Sequence, residues 1–141
     1  MASFEVVDNN ADAFLKELQE KRKLIHEAIG IKAEKYAKAR CPVGTPESTG
    51  KKGYRGGTLR NSITHDADAD QMAVGTNVEY GPYVELGTGP FFEAPPEWEQ
   101  FDTAQGSGKG HGYVHPRPYL KPAILDHVDE YQHIAETLLK K

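Results

Sequence analysis

The chain has 141 residues, an apolar fraction of 38% and a net charge of -4, which together suit one domain, residues 1–141, with a single small core. The acidic balance argues against tight nucleic-acid binding by the whole surface. The single cysteine, Cys41, excludes an intramolecular disulfide and favours assembly in a reducing cytosol. The first residues lack the basic-then-apolar pattern of a signal peptide, and no run of about 18 apolar residues occurs, so we expect neither a signal peptide nor a membrane span.

Charge is unevenly distributed along the chain. Residues 12–60 carry 12 basic and 6 acidic side chains, whereas residues 61–108 carry nine acidic side chains and no Lys or Arg. The two blocks can pair within one molecule, or between neighbours arranged head to tail, where complementary patches set the register. The sequence alone leaves both alternatives open.

A long amphipathic helix is predicted near the N-terminus. Asn9 or Asn10 can cap a helix that begins near Ala11, and Pro42 ends it because the residue before a proline is pushed out of the helical region. Gly30 lies inside this helix and marks either a kink or a close helix crossing. One apolar stripe runs along the helix at spacings of three, four or seven residues: Phe14, Leu18, Ile25, Ile29, Ala33 and Tyr36.

The middle of the chain predicts a loop followed by a β-hairpin. Residues 43–57 are dense in Gly and short polar side chains, which is typical of a flexible loop. Thr58–Asp66 reads as a first strand, and the alternation of Met72–Val78 predicts a second strand with one face buried. Asp68 and Asp70 supply the turn between them.

The second strand leads into a short helical turn. Gly81 ends the strand, Pro82 has its φ set for the start of a helical turn, and Gly87 can take the left-handed conformation that closes it. Tyr83 lies on one side of that turn, whereas Glu85 points elsewhere. This segment has no nucleophile with a base beside it.

The last third of the chain predicts a long loop and a second helix. Residues 89–112 form a loop that is either folded back on the domain or presented to a partner, because loops of this length are uncommon without a role. Tyr113–His115 can add a short strand, and Pro118 leads into the last helix, with an apolar stripe from Leu120 to Leu138. The long loop holds four large aromatic side chains that we assign as possible partner contacts: Phe91, Phe92, Trp98 and Phe101.

No catalytic or metal-binding pattern emerges. The segment 106–111 lacks the flanking Gly and the Ser or Thr that a phosphate-binding loop needs. His111 and His115 have the spacing of two metal ligands on one face of a helix, but Pro116 disfavours a helix at this point. Cys41 has no visible base to activate it. We therefore expect no catalytic residue, no metal and no cofactor.

Three blocks of sequence carry a resemblance to a known family. The first is Ala37–Val43 followed by Gly57–Ile63, the second is Val74–Thr88 with its Tyr-Gly-Pro-Tyr-Val-Glu-Leu-Gly-Thr, and the third is Arg117–Ile124 with its Arg-Pro-Tyr-Leu-Lys-Pro-Ala. In order and spacing they resemble the small neck, or tail-completion, proteins of long-tailed bacteriophages, also described as tail components or minor tail protein Z relatives. Together the blocks cover most of the chain.

The resemblance implies a fold and a function. It implies an α+β domain in which a long N-terminal helix and a C-terminal helix pack on a small antiparallel β-sheet, with long loops. It implies a structural virion protein, not an enzyme, that is assembled in the host cytoplasm. It further implies a ring, commonly a hexamer, at the head-tail junction, with other neck and tail proteins as partners and double-stranded DNA passing through without sequence-specific binding. The residues that it marks as interface or structural-motif positions are Tyr80, Pro82, Tyr83, Glu85, Gly87, Thr88, Arg117, Pro118 and Tyr119.

Two other functions compete with this interpretation. A small metal-dependent hydrolase would need His65, His111 and His115 to converge with a carboxylate around a metal. A nucleic-acid-binding module would use the cations of the 43–57 loop beside Tyr54, although one aromatic side chain is too few for a stacking platform.

Overall fold

A computed structural model describes residues 10–44, 52–53, 56–87 and 115–141. The chain has the predicted α+β fold: a long N-terminal helix, a two-stranded antiparallel sheet and C-terminal helices. Thr88, the 89–112 loop with its four aromatic residues, and most of the 43–57 loop lie outside the described residues. The elements in chain order are α1 (Ala11–Arg40), α2 (Thr58–Ser62), β1 (Thr64–Ala67), β2 (Met72–Gly75), α3 (Gly81–Leu86), α4 (Leu120–Leu125) and α5 (Val128–Leu139).

Helix α1 begins and ends where the sequence predicts. It starts after Asn10, whose carbonyl accepts the backbone N–H of Phe14 at 2.9 Å, although the Asn10 side chain makes no capping hydrogen bond. It ends at Arg40, before Pro42, and Cys41 is already extended. Buried residues of α1 occur only from Ile25 onward, so the first part of the helix has no buried face against the other described residues.

Gly30 marks a close approach, but its partner is the hairpin and not another helix. A Cβ at Gly30 would lie 2.5 Å from Cδ2 of His65 and 3.2 Å from Cγ of Met72. These two residues belong to β1 and β2, so the absence of a side chain on α1 allows the sheet to lie directly against the helix.

The hairpin is confirmed, with a shorter first strand than predicted. β1 and β2 are antiparallel, with Thr64 opposite Gly75 and Ala67 opposite Met72. Asp68 closes the turn, because its Oδ1 accepts the backbone N–H groups of the residues two and three positions further along, at 2.7 and 2.8 Å.

The prediction of a strand over Thr58–Asp66 is wrong in its first half, where the chain forms helix α2. Leu59 and Ile63 are four residues apart and both are buried. A helical turn and a strand would each place residues at this spacing on the same face. Short apolar patterns fit both periods, and tertiary packing decides here. The second strand also stops early, at Gly75, since the backbone N–H of Val78 turns to Oγ1 of Thr76 at 3.1 Å.

The single predicted C-terminal helix is two helices, α4 and α5, separated at Asp126 and His127. Two contacts with α1 accompany the break. The His127 ring stacks on Tyr36 with 3.6 Å between ring centroids, and Asp126 pairs with Arg40 at 2.9 Å.

Within the described ranges, no helix is both long enough and apolar enough to cross a membrane.

The core lies where the C-terminal half of α1 meets α2 and α4. The core cluster consists of Ala37, Cys41, Leu59, Ile63, Tyr119 and Ala123.

Candidate functional site

The second and third resemblance blocks meet in space through Glu85. Its Oε2 accepts the backbone N–H groups of Tyr119 at 2.6 Å and Leu120 at 2.9 Å, and its Oε1 accepts that of Lys121 at 2.9 Å. These donors open α4, where the first N–H groups of a helix have no partner within it. Glu85 therefore caps a helix that lies more than thirty residues further along the chain.

Tyr119 completes the contact from the other side. Its side chain is 0% exposed, and its hydroxyl donates to the carbonyl of Gly81 at 3.1 Å. Burial raises the pKa of Tyr119 far above its usual value, so the phenol remains a proton donor. A Cβ at Gly81 would lie 2.6 Å from Cγ2 of Thr76 and 3.1 Å from the Tyr119 hydroxyl, so this contact needs a glycine.

Backbone geometry joins the two blocks as well. The N–H of Arg117 donates to the carbonyl of Val84 at 2.7 Å. Gly87 ends α3 with a positive φ of 80°, which glycine allows, but its ψ of -174° is extended and differs from the predicted left-handed conformation. We call this unit the α3–α4 clamp: Gly81, Val84, Glu85, Arg117 and Tyr119. All the hydrogen bonds described for the clamp are formed within the chain.

The other residues that the sequence singles out lie around the clamp. Pro82 stands at the start of α3, whereas Tyr80 is about half exposed, at 48%. A cleft of about 350 Å³ lies beside the clamp and is lined by residues 74–79 together with Pro82 and Leu120. Among the described residues that line it, the carboxylates are Glu79 and Glu85, and Glu85 already accepts three hydrogen bonds.

A second polar cluster lies where β1 crosses α1. Nε2 of His65 lies 2.8 Å from Oε1 of Glu27, and its Nδ1 lies 2.5 Å from Oε2 of Glu34. Sequence reasoning identified His65 but missed both glutamates, although their spacing of seven residues on one helix face is visible in the sequence.

The two glutamates bind opposite nitrogens of the His65 ring, so the three side chains do not face one common point as metal ligands would. In the part of the chain that the structure describes, no group of three or more His, Cys, Asp or Glu could hold a metal ion. His111 lies outside the described residues, and His115 is exposed. The convergence that a hydrolase would require is therefore not found at His65.

The cluster changes the pKa values of its members. Hydrogen bonds to Glu27 and then Glu34 raise the pKa of His65, because two carboxylates favour the imidazolium, which donates from both nitrogens. The pKa of Glu34 is lowered by its hydrogen bond with Lys38 first and by that with His65 second. The cluster therefore stabilises the fold most between the lowered pKa of Glu34 and the raised pKa of His65, where the carboxylate and the imidazolium are both charged.

We expect the unfolding free energy of the Glu27→Gln variant to depend less on pH than that of the wild type. His65 has a folded pKa above its usual 6.5, so its contribution is complete below that value and is lost as pH rises through the folded pKa. Replacing Glu27 removes the larger cause of the shift. Urea unfolding between about pH 5.5 and 9 should show a shallower loss of unfolding free energy than in the wild type.

Glu20→Gln is the matched control, because Glu20 lies exposed on the same helix, before the first buried residue. It should keep the wild-type pH dependence. Equal slopes for Glu27→Gln and the wild type would contradict the assignment of an imidazolium to His65.

Many cations of α1 are paired within the chain. Arg22 lies 3.6 Å from Asp70, which joins the basic and acidic blocks inside one molecule. Arg40 pairs with Asp126, and Lys32 lies 3.5 Å from Glu130. Pairing within one molecule thus accounts for part of the charge asymmetry. The cations beside Tyr54 lie outside the described residues, apart from Lys52.

Cys41 is a core residue. Its side chain is buried in the cluster with Tyr119, and burial raises the pKa of its thiol, which is the opposite of what a nucleophilic cysteine needs.

Comparison with known proteins adds no family assignment: no protein-family model matches the chain, and no curated protein or solved structure matches it.

Proposed function

We propose that this chain is a structural virion protein of a tailed bacteriophage that forms a ring at the head-tail junction. One observation supports this function most: the second and third resemblance blocks, Val74–Thr88 and Arg117–Ile124, meet through the described residues of the α3–α4 clamp. The two blocks that carry the resemblance are thus joined by hydrogen bonds in the fold, although they are separated in sequence.

The chemistry of the clamp favours a scaffold role. The Glu85 carboxylate and the Tyr119 hydroxyl, which would be its reactive groups, are both engaged with backbone groups. Such a unit holds the start of α4 against α3, and its carboxylate and its phenol both serve that contact. In the proposed ring, commonly a hexamer, the clamp keeps each copy rigid while other neck and tail proteins bind and DNA passes through the opening.

Electron microscopy of the purified protein tests this function directly. We expect closed rings with a central pore, and sedimentation should give one dominant mass that is a multiple of the subunit mass. A molecule that stays solitary at every concentration in solution and within phage particles would contradict the proposal.

Deletion of residues 91–110 tests the role assigned to the aromatic loop. If the loop contacts a neighbouring neck or tail protein, the variant should still form rings but should fail to join heads to tails. Joining at the wild-type rate would rule out that contact.

A further inference from the structure

The β1–β2 hairpin lies on α1 but takes little part in the core. No residue of β1 or β2 is buried, and none belongs to the core cluster. Of the two strands, only Val74 packs against that cluster, as a partly buried side chain. A separation of the hairpin from α1 would therefore leave the core cluster assembled.

The open end of the hairpin is anchored, whereas its turn end is not. Ile63, directly before β1, is 0% exposed and belongs to the core cluster. Thr76, directly after β2, shares a hydrogen bond between its hydroxyl and that of Ser62 in α2. These two anchors lie side by side, because the neighbouring residues Thr64 and Gly75 are paired. They form a hinge about which the rest of the hairpin can move as a local unit.

The contacts of the turn with α1 are exposed. Arg22 lies 3.6 Å from Asp70, and Nδ1 of His26 lies 2.7 Å from the carbonyl oxygen of Asp68. An exposed ion pair contributes little to stability, and an imidazole can donate to a carbonyl whether it is charged or neutral. The contact that depends on charge is therefore the less exposed one at the middle of β1, where the His65 side chain is 16% exposed.

The His65 contact requires a proton on both ring nitrogens. Each nitrogen faces a carboxylate oxygen, that of Glu27 at 2.8 Å and that of Glu34 at 2.5 Å. An imidazolium donates to both, whereas a neutral ring keeps one N–H and turns a lone pair toward the other carboxylate. Loss of the proton thus removes a charge-assisted hydrogen bond and puts two acceptors in contact.

The other described groups around His65 do not offset this change. On α1, Lys38 lies 2.6 Å from Glu34 and holds that carboxylate in its charged form. The facing strand, Met72–Gly75, has no titratable side chain. Asp66 follows His65 in β1, so its side chain points to the opposite face of the sheet.

We propose that the β1–β2 hairpin is a proton-controlled arm, docked on α1 while His65 is protonated between Glu27 and Glu34 and released about the Ile63 and Thr76 anchors when that proton is lost. The pKa of docked His65 is raised above 6.5, first by Glu27 and then by Glu34. The hairpin is therefore fully docked below pH 6.5 and is released as pH rises through the docked pKa. This inference does not rest on the proposed function.

Distance measurements between two spin labels test the release. Labels are attached to Gln71→Cys in the turn and to Lys35→Cys on α1, since both positions are exposed and the native Cys41 is buried. Double electron–electron resonance should give one distance at pH 6 and a second, longer distance that grows toward pH 9. The ratio of released to docked molecules should rise by up to about tenfold per pH unit, as expected for one proton. Its midpoint should follow the titration of the His65 ring in NMR spectra.

Two variants and one core amide make the test specific. His65→Gln has no proton to lose at this position, so its distances should be the same at pH 6 and pH 9. His133→Gln replaces an exposed histidine of α5 and should keep the wild-type response. The amide of Cys41, which donates to the carbonyl of Ala37, should stay protected from hydrogen exchange throughout.

Three results would overturn the proposal. The first is a single distance that does not change while the His65 ring titrates. The second is a pH-dependent distance that persists in His65→Gln, because another group would then control it. The third is a loss of protection at the Cys41 amide over the same pH range, because the whole domain would then unfold.

Discussion

Replacing Tyr119 by alanine should lower the free energy of unfolding by about 3–5 kcal/mol, the cost of emptying a large aromatic site in a core. The side chain is fully buried and belongs to the core cluster that joins α1, α2 and α4. A domain of this size has about 5–15 kcal/mol of stability, so the variant should lose a large fraction of it and unfold at a clearly lower urea concentration than the wild type. Urea unfolding followed by far-UV circular dichroism measures the loss.

Two companion variants separate packing from hydrogen bonding at Tyr119. Tyr119→Phe keeps the ring but leaves the Gly81 carbonyl without its donor, so we expect a loss of about 1 kcal/mol. Tyr80→Ala is the control at an exposed tyrosine, with an expected change within about 0.5 kcal/mol. Similar losses for Tyr80→Ala and Tyr119→Ala would contradict the assignment of Tyr119 to the core.

Replacing Glu85 by alanine should cost about 2–3 kcal/mol, because three backbone donors at the start of α4 lose their acceptor together. Glu85→Gln should cost less, since one amide oxygen can still accept the bonds of Tyr119 and Leu120. Its NH₂ group would then face the N–H of Lys121, where no hydrogen bond can form. Chemical denaturation of the two variants beside the wild type gives this order.

Glu79→Ala is the matched control for Glu85, because it removes an exposed carboxylate at the same cleft. Its unfolding free energy should stay within about 0.5 kcal/mol of the wild type. Amide hydrogen exchange adds a local measurement: in Glu85→Ala the N–H groups of Tyr119, Leu120 and Lys121 should lose protection. Unchanged protection at these amides would contradict the capping role.

The candidate site was partly visible in the sequence. The turn from Pro82 to Gly87 could be predicted because both residues restrict or permit backbone angles on their own. The bond from Glu85 to the start of α4 could not, since its donors lie 34 to 36 positions away and no spacing rule connects them. The enclosure of His65 by two glutamates of α1 was missed for the same reason.

Sequence by itself determined the features of this protein that depend on neighbouring residues: the limits of α1 between Asn10 and Pro42, the Asp68 turn, and the positive φ at Gly87. Tertiary structure alone decided that Leu59 lies in a helix, that the last helix breaks at His127, and that Glu85 caps α4. Local backbone sterics act within a few residues, so their effects can be predicted from the sequence. The other choices depend on which surfaces meet when the chain folds, because burial and hydrogen bonding between distant segments outweigh local preference.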